Sequence, residues 1–377
     1  MRKAALLLCM LCALTALTAM AARAEDARVT QQLYEGLYQN FGGGAYDDAL
    51  PEEALRLLPE NAAIKPGELA EAFSLRNIIN WLSGGLYQII RTTLSDFAKV
   101  ILLVMVFALA TALRQGMNTD YAETIVNITA ILCISVATYS IMRESMAQCV
   151  TAIESSTRLM GVGIPVLLAA GAASGRVLSS MLLPGAISAG MTLFAGINSS
   201  FFIPILSVYF ALALASAVSG SVSLKSLCKV FKQIMVFRMG FLTTLMAGLL
   251  SLQKVVTSAS DNIAISAAKF AMGSMIPVVG GILTDALGTV LGCVNVIRSS
   301  IGAIGIFALL IILVPIAVRV LLYSQLFKVT AAVSELFGGG SVPEFLSAVS
   351  DVWSMLAAMT ICQGVYLIAA TAVLASG

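Results

Sequence analysis

Histidine is absent from all 377 residues. That removes Ser-His and Cys-His nucleophilic chemistry, the HExxH metal site and haem ligation by imidazole. The chain also has no Walker A run and no GxGxxG turn, so a nucleotide phosphate finds no glycine-rich cradle. Of the seven cysteines, Cys9 and Cys12 fall in the leader. The other five are widely spaced in mostly apolar surroundings, which fits small buried hydrophobes rather than a disulfide framework. No serine is marked out as a nucleophile, and the expectation is a protein that is not an enzyme.

Charge is the other scarcity. Asp, Glu, Lys and Arg make up 11% of the chain against 59% hydrophobic residues, with a mean hydropathy of +0.95. Soluble domains carry roughly 25% charged residues, and a soluble core of this size could not be clothed with so few. Between Arg176 and Lys225, from Val177 to Leu224, there is no charged residue at all. That run is more than twice the roughly 20 residues one helix needs to cross a bilayer. The apolar runs are continuous rather than alternating, which disfavours a β-barrel. The fold class is all-α, a polytopic helical membrane protein. No dense basic face is present, so nucleic acid is not a partner; the lipid bilayer is.

What is present begins with targeting. Arg2 and Lys3 precede an apolar stretch from Ala4 to Met20, and Ala22-Arg23-Ala24 supplies a small-x-small cleavage signal. Residues 1–24 have the three parts of a cleaved signal peptide. Residues 25–92 then form an exported acidic segment, with eleven acids against five bases between Glu25 and Phe97. Within it Gly42-Gly43-Gly44 is expected to be a flexible break, and Pro51, Pro59 and Pro66 punctuate short helices. Leu75, Ile78, Leu82, Leu86 and Ile89 recur at three- and four-residue spacing, which predicts an amphipathic helix. It lies on the outer membrane face or packs within a small subdomain.

Residues 93–377 form the multi-span domain. Spanning candidates are 94–114, 121–142, 159–175, 177–197, 201–221, 239–258, 270–297, 299–318 and 352–375, about seven to nine embedded segments. Basic residues set orientation. An exported N-terminus puts Arg114 inside, two further spans return the chain inside at Arg176, and the next pair places a basic cytoplasmic loop there, with Lys225, Lys229, Lys232 and Arg238. If 270–297 is a re-entrant hairpin, Arg319 and Lys328 also fall inside.

Pro165, Pro204 and Pro315 interrupt apolar segments and are candidate helix breaks, because each removes a backbone donor. Met160-Gly161-Val162-Gly163-Ile164-Pro165-Val166 resembles Met272-Gly273-Ser274-Met275-Ile276-Pro277-Val278, 112 residues later. The likeness is either a trace of duplication, as in transporters built around broken helices, or coincidence in a biased composition. Gly171/Gly175 and Gly288/Gly292 allow close helix approach, within one chain or in a homo-oligomer. Glu123, Asp261, Lys269 and Asp285 sit within or beside apolar segments, where an ionised group costs several kcal/mol unless paired.

Lys269-Phe270-Ala271, then Ile276-Pro277-Val278-Val279-Gly280-Gly281 and Asp285-Ala286, resemble the stage III sporulation protein AE family of endospore-forming bacteria. The signal peptide, the acidic exported segment, the Ile-Pro pairs at Pro165 and Pro204, the basic loop and Pro315 extend the likeness over almost the whole chain. The resemblance implies a multi-pass subunit in the mother-cell membrane around the forespore. It further implies partnership with the other subunits of a transenvelope, secretion-like channel complex that joins the two cells. It implies no catalytic residue, cofactor or metal. Under it, Lys269, Pro277, Gly280, Gly281 and Asp285 form a candidate pore or assembly element. The competing reading from the residues is a self-sufficient permease with an internal duplication.

Overall fold

The computed structural model describes residues 32–57, 75–114, 120–174, 177–219, 224, 226–248, 250–251, 280–336 and 341–376. They are helical throughout, with no strand among the described residues. Three short helices come first: α1 (residues 32–40), α2 (Gly43–Ala49) and α3 (Glu52–Leu57). The long ones follow: α4 (Leu75–Arg114), α5 (Asp120–Ala173), α6 (Val177–Ile197), α7 (Ile203–Val218), α8 (Ser226–Gly248), α9 (Gly280–Leu336) and α10 (Val342–Ser376). A five-residue π turn, Asn198–Phe202, joins α6 to α7 without a break.

Among the described residues, six helices are long and apolar enough to cross a membrane: Gly84–Thr111, Thr124–Ala173, Ile187–Val218, Ser226–Gly248, Leu291–Leu336 and Val342–Ala375. The all-α class and the multi-pass character expected from composition are both present. Among the described residues the count is lower than the expected seven to nine because apolar segments that look separate in the sequence lie on single helices. Segments 121–142 and 159–175 are both in α5, whose 54 residues run unbroken. At 1.5 Å per residue it is about 80 Å long. Residues 280–297 likewise continue straight into 299–318 within α9, so the described part of that region contains no re-entrant hairpin. The boundary expected at 92/93 falls inside α4.

Helix direction follows from two apolar cores stacked end to end. The lower core gathers Phe97 and Val104 of α4, Ile131 and Ile153 of α5, Leu206 of α7, Met235 of α8, Phe327 of α9 and Trp353 of α10. The upper core gathers Leu159 and Leu167 of α5, Phe194 of α6, Met246 of α8, Ile301 and Leu309 of α9 and Leu367 of α10. The long helices therefore alternate: α4 down, α5 up, α6–α7 down, α8 up, α9 down, α10 up. This moves the α5–α6 connection, next to Arg176, to the end opposite the α4–α5 connection next to Arg114. The earlier placement of both on one side fails because α5 crosses once, not twice. Arg176 and Lys225 themselves lie outside the described residues. Lys229, Lys232 and Arg238 stand on α8 rather than in a loop, with Lys229 and Lys232 at the lower end.

The prolines behave differently from one another. Pro165 and Pro315 lie inside continuous helices rather than at breaks. Pro165 and Gly161, whose carbonyl loses its donor, are both on an exposed face. Pro204 does change the helix, because the π turn precedes it and Ile203 N–H donates to Asn198 O, five residues back. Such insertions are the usual way a helix absorbs a missing donor.

The N-terminal segment is docked, not loose. Gly42 takes φ 87°, a left-handed conformation that suits glycine, and turns α1 into α2. The expected flexible break is thus an ordered corner. It swings Tyr46 into the upper core, where Tyr46 is 2% exposed. A Cβ on Gly163 of α5 would lie 2.9 Å from Tyr46 Cε2, and one on Gly305 of α9 would lie 2.7 Å from its hydroxyl. Two glycines on two helices leave a slot for one ring. Gly171 has an intramolecular use as well, facing the guanidinium of buried Arg298.

Candidate functional site

The lower half of α4 packs against α5 and α9, and the N-terminal helices roof the space above that contact. The result is a crevice of about 990 Å³. One face of α4 contributes Gly85, Gln88 and Thr92, and the same face continues to Asp96 and Lys99 in an adjoining pocket of about 290 Å³. α5 contributes Glu144, Gln148, Thr151, Ser155 and Arg158 to the crevice, and Ser140 to the lower pocket. Both series step by three and four residues, so each is a single polar stripe on a helix. α9 closes the third side with Pro315 and Arg319.

Glu144 and Arg319 line both pockets, which makes them one polar track. From Ser140 to Arg158 the track climbs about 27 Å of helix, close to the roughly 30 Å of a bilayer's hydrocarbon core. Away from the track, α4 exposes Tyr87 and Leu94 with Arg91 between them, and below the track it is apolar and exposed at Leu102 and Met105. One helix thus presents mostly apolar side chains outward, Arg91 excepted, and polar ones inward. An Arg, Lys or Asp facing lipid at mid-depth costs roughly 3 kcal/mol on insertion scales, so stripes of this kind are stable only against water or protein.

Two features shape the track along its length. Arg319 Nη1 donates to Gln148 Oε1 at 2.7 Å, and Gln148 Nε2 donates to Glu144 Oε1 at 3.1 Å, a polar bridge where the two pockets meet. Below it, Tyr323 lines the lower pocket and packs on Trp353 at 4.6 Å between ring centroids. Phe327 stacks on Trp353 at 6.1 Å and meets Phe97 edge-on at 4.8 Å. This aromatic cluster closes the floor. Pro315 has a part here, since the carbonyl it deprives of a donor belongs to Ile311 and both residues line the crevice. Water in the track can satisfy that carbonyl.

The roof comes from α2 and the start of α3, through Asp48, Pro51 and Glu53. Just outside it, Tyr38 donates its hydroxyl to Asp47 Oδ1 at 2.7 Å. Burial pushes the Asp47 carboxyl above the usual carboxylate range, and the Tyr38 hydrogen bond partly opposes the shift. Burial and the same carboxylate raise the Tyr38 phenol.

Apart from Pro315, the residues singled out in the sequence fall elsewhere. Lys269 and Pro277 lie outside the described residues, as do Ala22 and Ala24; Gly280, Gly281 and Asp285 are in the first turns of α9. Lys232 pairs with Asp351 of α10 at 2.7 Å, with Tyr209 donating to the other carboxylate oxygen at 3.4 Å, so it staples α8 to α10 at the lower end. Sequence reasoning missed the track. The signal was there, in the Glu144-Gln148-Thr151-Ser155-Arg158 spacing, between two apolar segments taken as separate spans.

Residues 61–377 match the family described as stage III sporulation protein AE. A stage III sporulation protein AE of Bacillus subtilis (strain 168) is 26% identical over 227 residues, which is 60% of this chain and 57% of that protein. The chain thus aligns with little more than half the length of that relative. No solved structure matches.

Proposed function

Since the chain belongs to the stage III sporulation protein AE family, we propose that it is a non-catalytic membrane subunit of a transenvelope complex joining mother cell and forespore. Its part there is to supply the wall of a conduit. The observation that carries this reading is the polar track of α4, α5 and α9, which is of bilayer length. The track is open along one side, so a channel needs a further protein surface, which fits a subunit better than a self-contained permease. In this reading residues 1–24 are a signal cleaved after Ala24, the N-terminal helices lie outside the cytoplasm, and the end with Arg114, Lys229 and Lys232 is cytoplasmic, as the positive-inside rule asks.

The test fills the track. Thr151→Leu together with Ser155→Leu keeps helix propensity and replaces hydroxyls with apolar bulk. The expected outcome is blocked spore maturation at normal membrane levels of the protein; normal spore yield overturns the assignment. Solute uptake by the purified chain alone in liposomes would favour the permease instead.

A further inference from the structure

α5 carries one more acid at mid-height, away from the track. Glu154 is exposed on one side and on the other borders a small pocket of about 110 Å³, opposite the π turn. Asn198 and Ser199 of that turn line the same pocket. Asn198 is completely buried, and its Nδ2 donates to Gln363 Oε1 at 3.4 Å. Its Oδ1 has no hydrogen-bond partner within the protein. Ser199 Oγ donates to Ala195 O at 3.0 Å, which leaves its lone pairs available. Pro204 has no N–H, so the carbonyl that it would have bonded, Ser199 in the π register or Ser200 in the α register, loses its helical donor.

The oxygens around this pocket are an amide oxygen, a hydroxyl and a carboxylate, while the Asn198 amide nitrogen is turned to Gln363, whose own Nε2 also lacks a partner. No Lys or Arg lines it, so an anion has nothing to hold it. Only one full negative charge is present, whereas calcium sites gather several carboxylates among six to eight oxygens. Among the described residues no group of three His, Cys, Asp or Glu could hold a metal ion. The space exceeds the roughly 30 Å³ share of one water. We propose that this pocket binds a monovalent alkali cation, of the sodium class, with Asn198 Oδ1 and the Glu154 carboxylate as its side-chain ligands. The bound ion neutralises Glu154 and ties α5 to the π turn where the two apolar cores meet.

The experiment is thermal unfolding of the full chain in detergent, in NaCl, KCl and choline chloride at equal ionic strength. An alkali chloride is expected to raise Tm over choline in a saturable manner. Glu154→Gln, an exposed position, is expected to weaken half-saturation about tenfold or more, the usual scale for loss of a site-shaping group, while leaving Tm in choline no lower than that of the wild type. Asn198→Ala should do the same to the ion response. Equal Tm in all three salts for the wild type overturns the site, and so does an undiminished alkali response in Glu154→Gln. Sodium-23 line broadening that disappears in Glu154→Gln gives a second readout should Asn198→Ala fail to fold.

Discussion

Tyr46 donates its hydroxyl to the backbone carbonyl of Ile301 at 3.2 Å, across 255 residues of sequence. That bond fixes the roof of the polar track to α9, and the slot that admits the ring depends on the absence of side chains at Gly163 and Gly305. Within lipid, packing of this kind rests on van der Waals contact and hydrogen bonding rather than on apolar burial from water. The fit of one ring therefore matters more than its hydrophobicity.

Gly163→Ala is expected to loosen the N-terminal helices by about 1–3 kcal/mol, the usual penalty for overpacking. Gly161→Ala, two residues away with nothing within 4 Å of its Cβ position, is the matched control. It should be neutral or stabilise the helix by about 0.5–1 kcal/mol. Limited proteolysis of the membrane-embedded protein checks both, with release of the N-terminal fragment accelerated in Gly163→Ala alone. Equal cleavage rates in the two variants would contradict the slot.

Asp47 gives that docking a pH dependence. Its carboxyl is raised above the unfolded value of about 3.9, chiefly by desolvation. The docked form therefore binds the proton more tightly than the undocked form does. Docking is firmest below the unfolded pKa, weakens as pH rises through the folded value, and stays at its weaker level above it. Asp47→Asn keeps an oxygen for the Tyr38 hydroxyl and removes the titration. Hydrogen exchange of α2 should be as slow or slower in Asp47→Asn at neutral pH, and flat across acid pH where the parent varies. A variant that exchanges faster at pH 7 would show the charge to be stabilising.

Much of the architecture is legible in the chain, because continuous apolarity and low charge admit few alternatives to membrane helices. Helices α4, α7 and α9 also end just before the sequence turns polar or glycine-rich, ahead of Gln115, Gly220 and Gly338. The joins within helices are not legible by the same rule. Arg143, Glu144, Glu154 and Arg158 interrupt an apolar run and so look like a loop, yet all five polar-stripe residues from Glu144 to Arg158 line a shared cleft. Gly163 was visible only as part of a repeated Met-Gly-x-x-Ile-Pro-Val. Its use as half of a slot depends on a tyrosine far away in sequence, and the second copy has Met275 at that place. The π turn follows from Pro204, but its register depends on how α5 and α10 pack around it.

The aromatic floor predicts a separable defect. Trp353 and Phe327 are fully buried in the lower core. Trp353→Ala should lower stability by about 3–5 kcal/mol, as for other large-to-small core changes. Trp353→Phe preserves most of the stacking against Tyr323 and Phe327 and should lose less. Thermal unfolding in detergent ranks the two, and equal Tm values would mean that the cluster does not hold the helices together.

The polar bridge above that floor predicts where the track narrows. Arg319 and Gln148 meet at 2.7 Å between the upper crevice and the lower pocket, so a charged thiol reagent entering from the roof should stop there. In a background with exposed Cys133 replaced by serine, Ser155→Cys should react readily because it lines the upper crevice, while Ser140→Cys should be protected. Leu132→Cys stands on an exposed apolar part of α5 turned away from the stripe and should stay unreactive with a reagent that does not enter lipid. Arg319→Ala removes the donor and most of the side chain, so it should expose Ser140→Cys several-fold without changing Leu132→Cys. If Ser140→Cys is already as reactive as Ser155→Cys with Arg319 in place, the bridge does not divide the track. If it stays protected after Arg319→Ala, the two pockets are not one path, and the conduit reading loses its geometry.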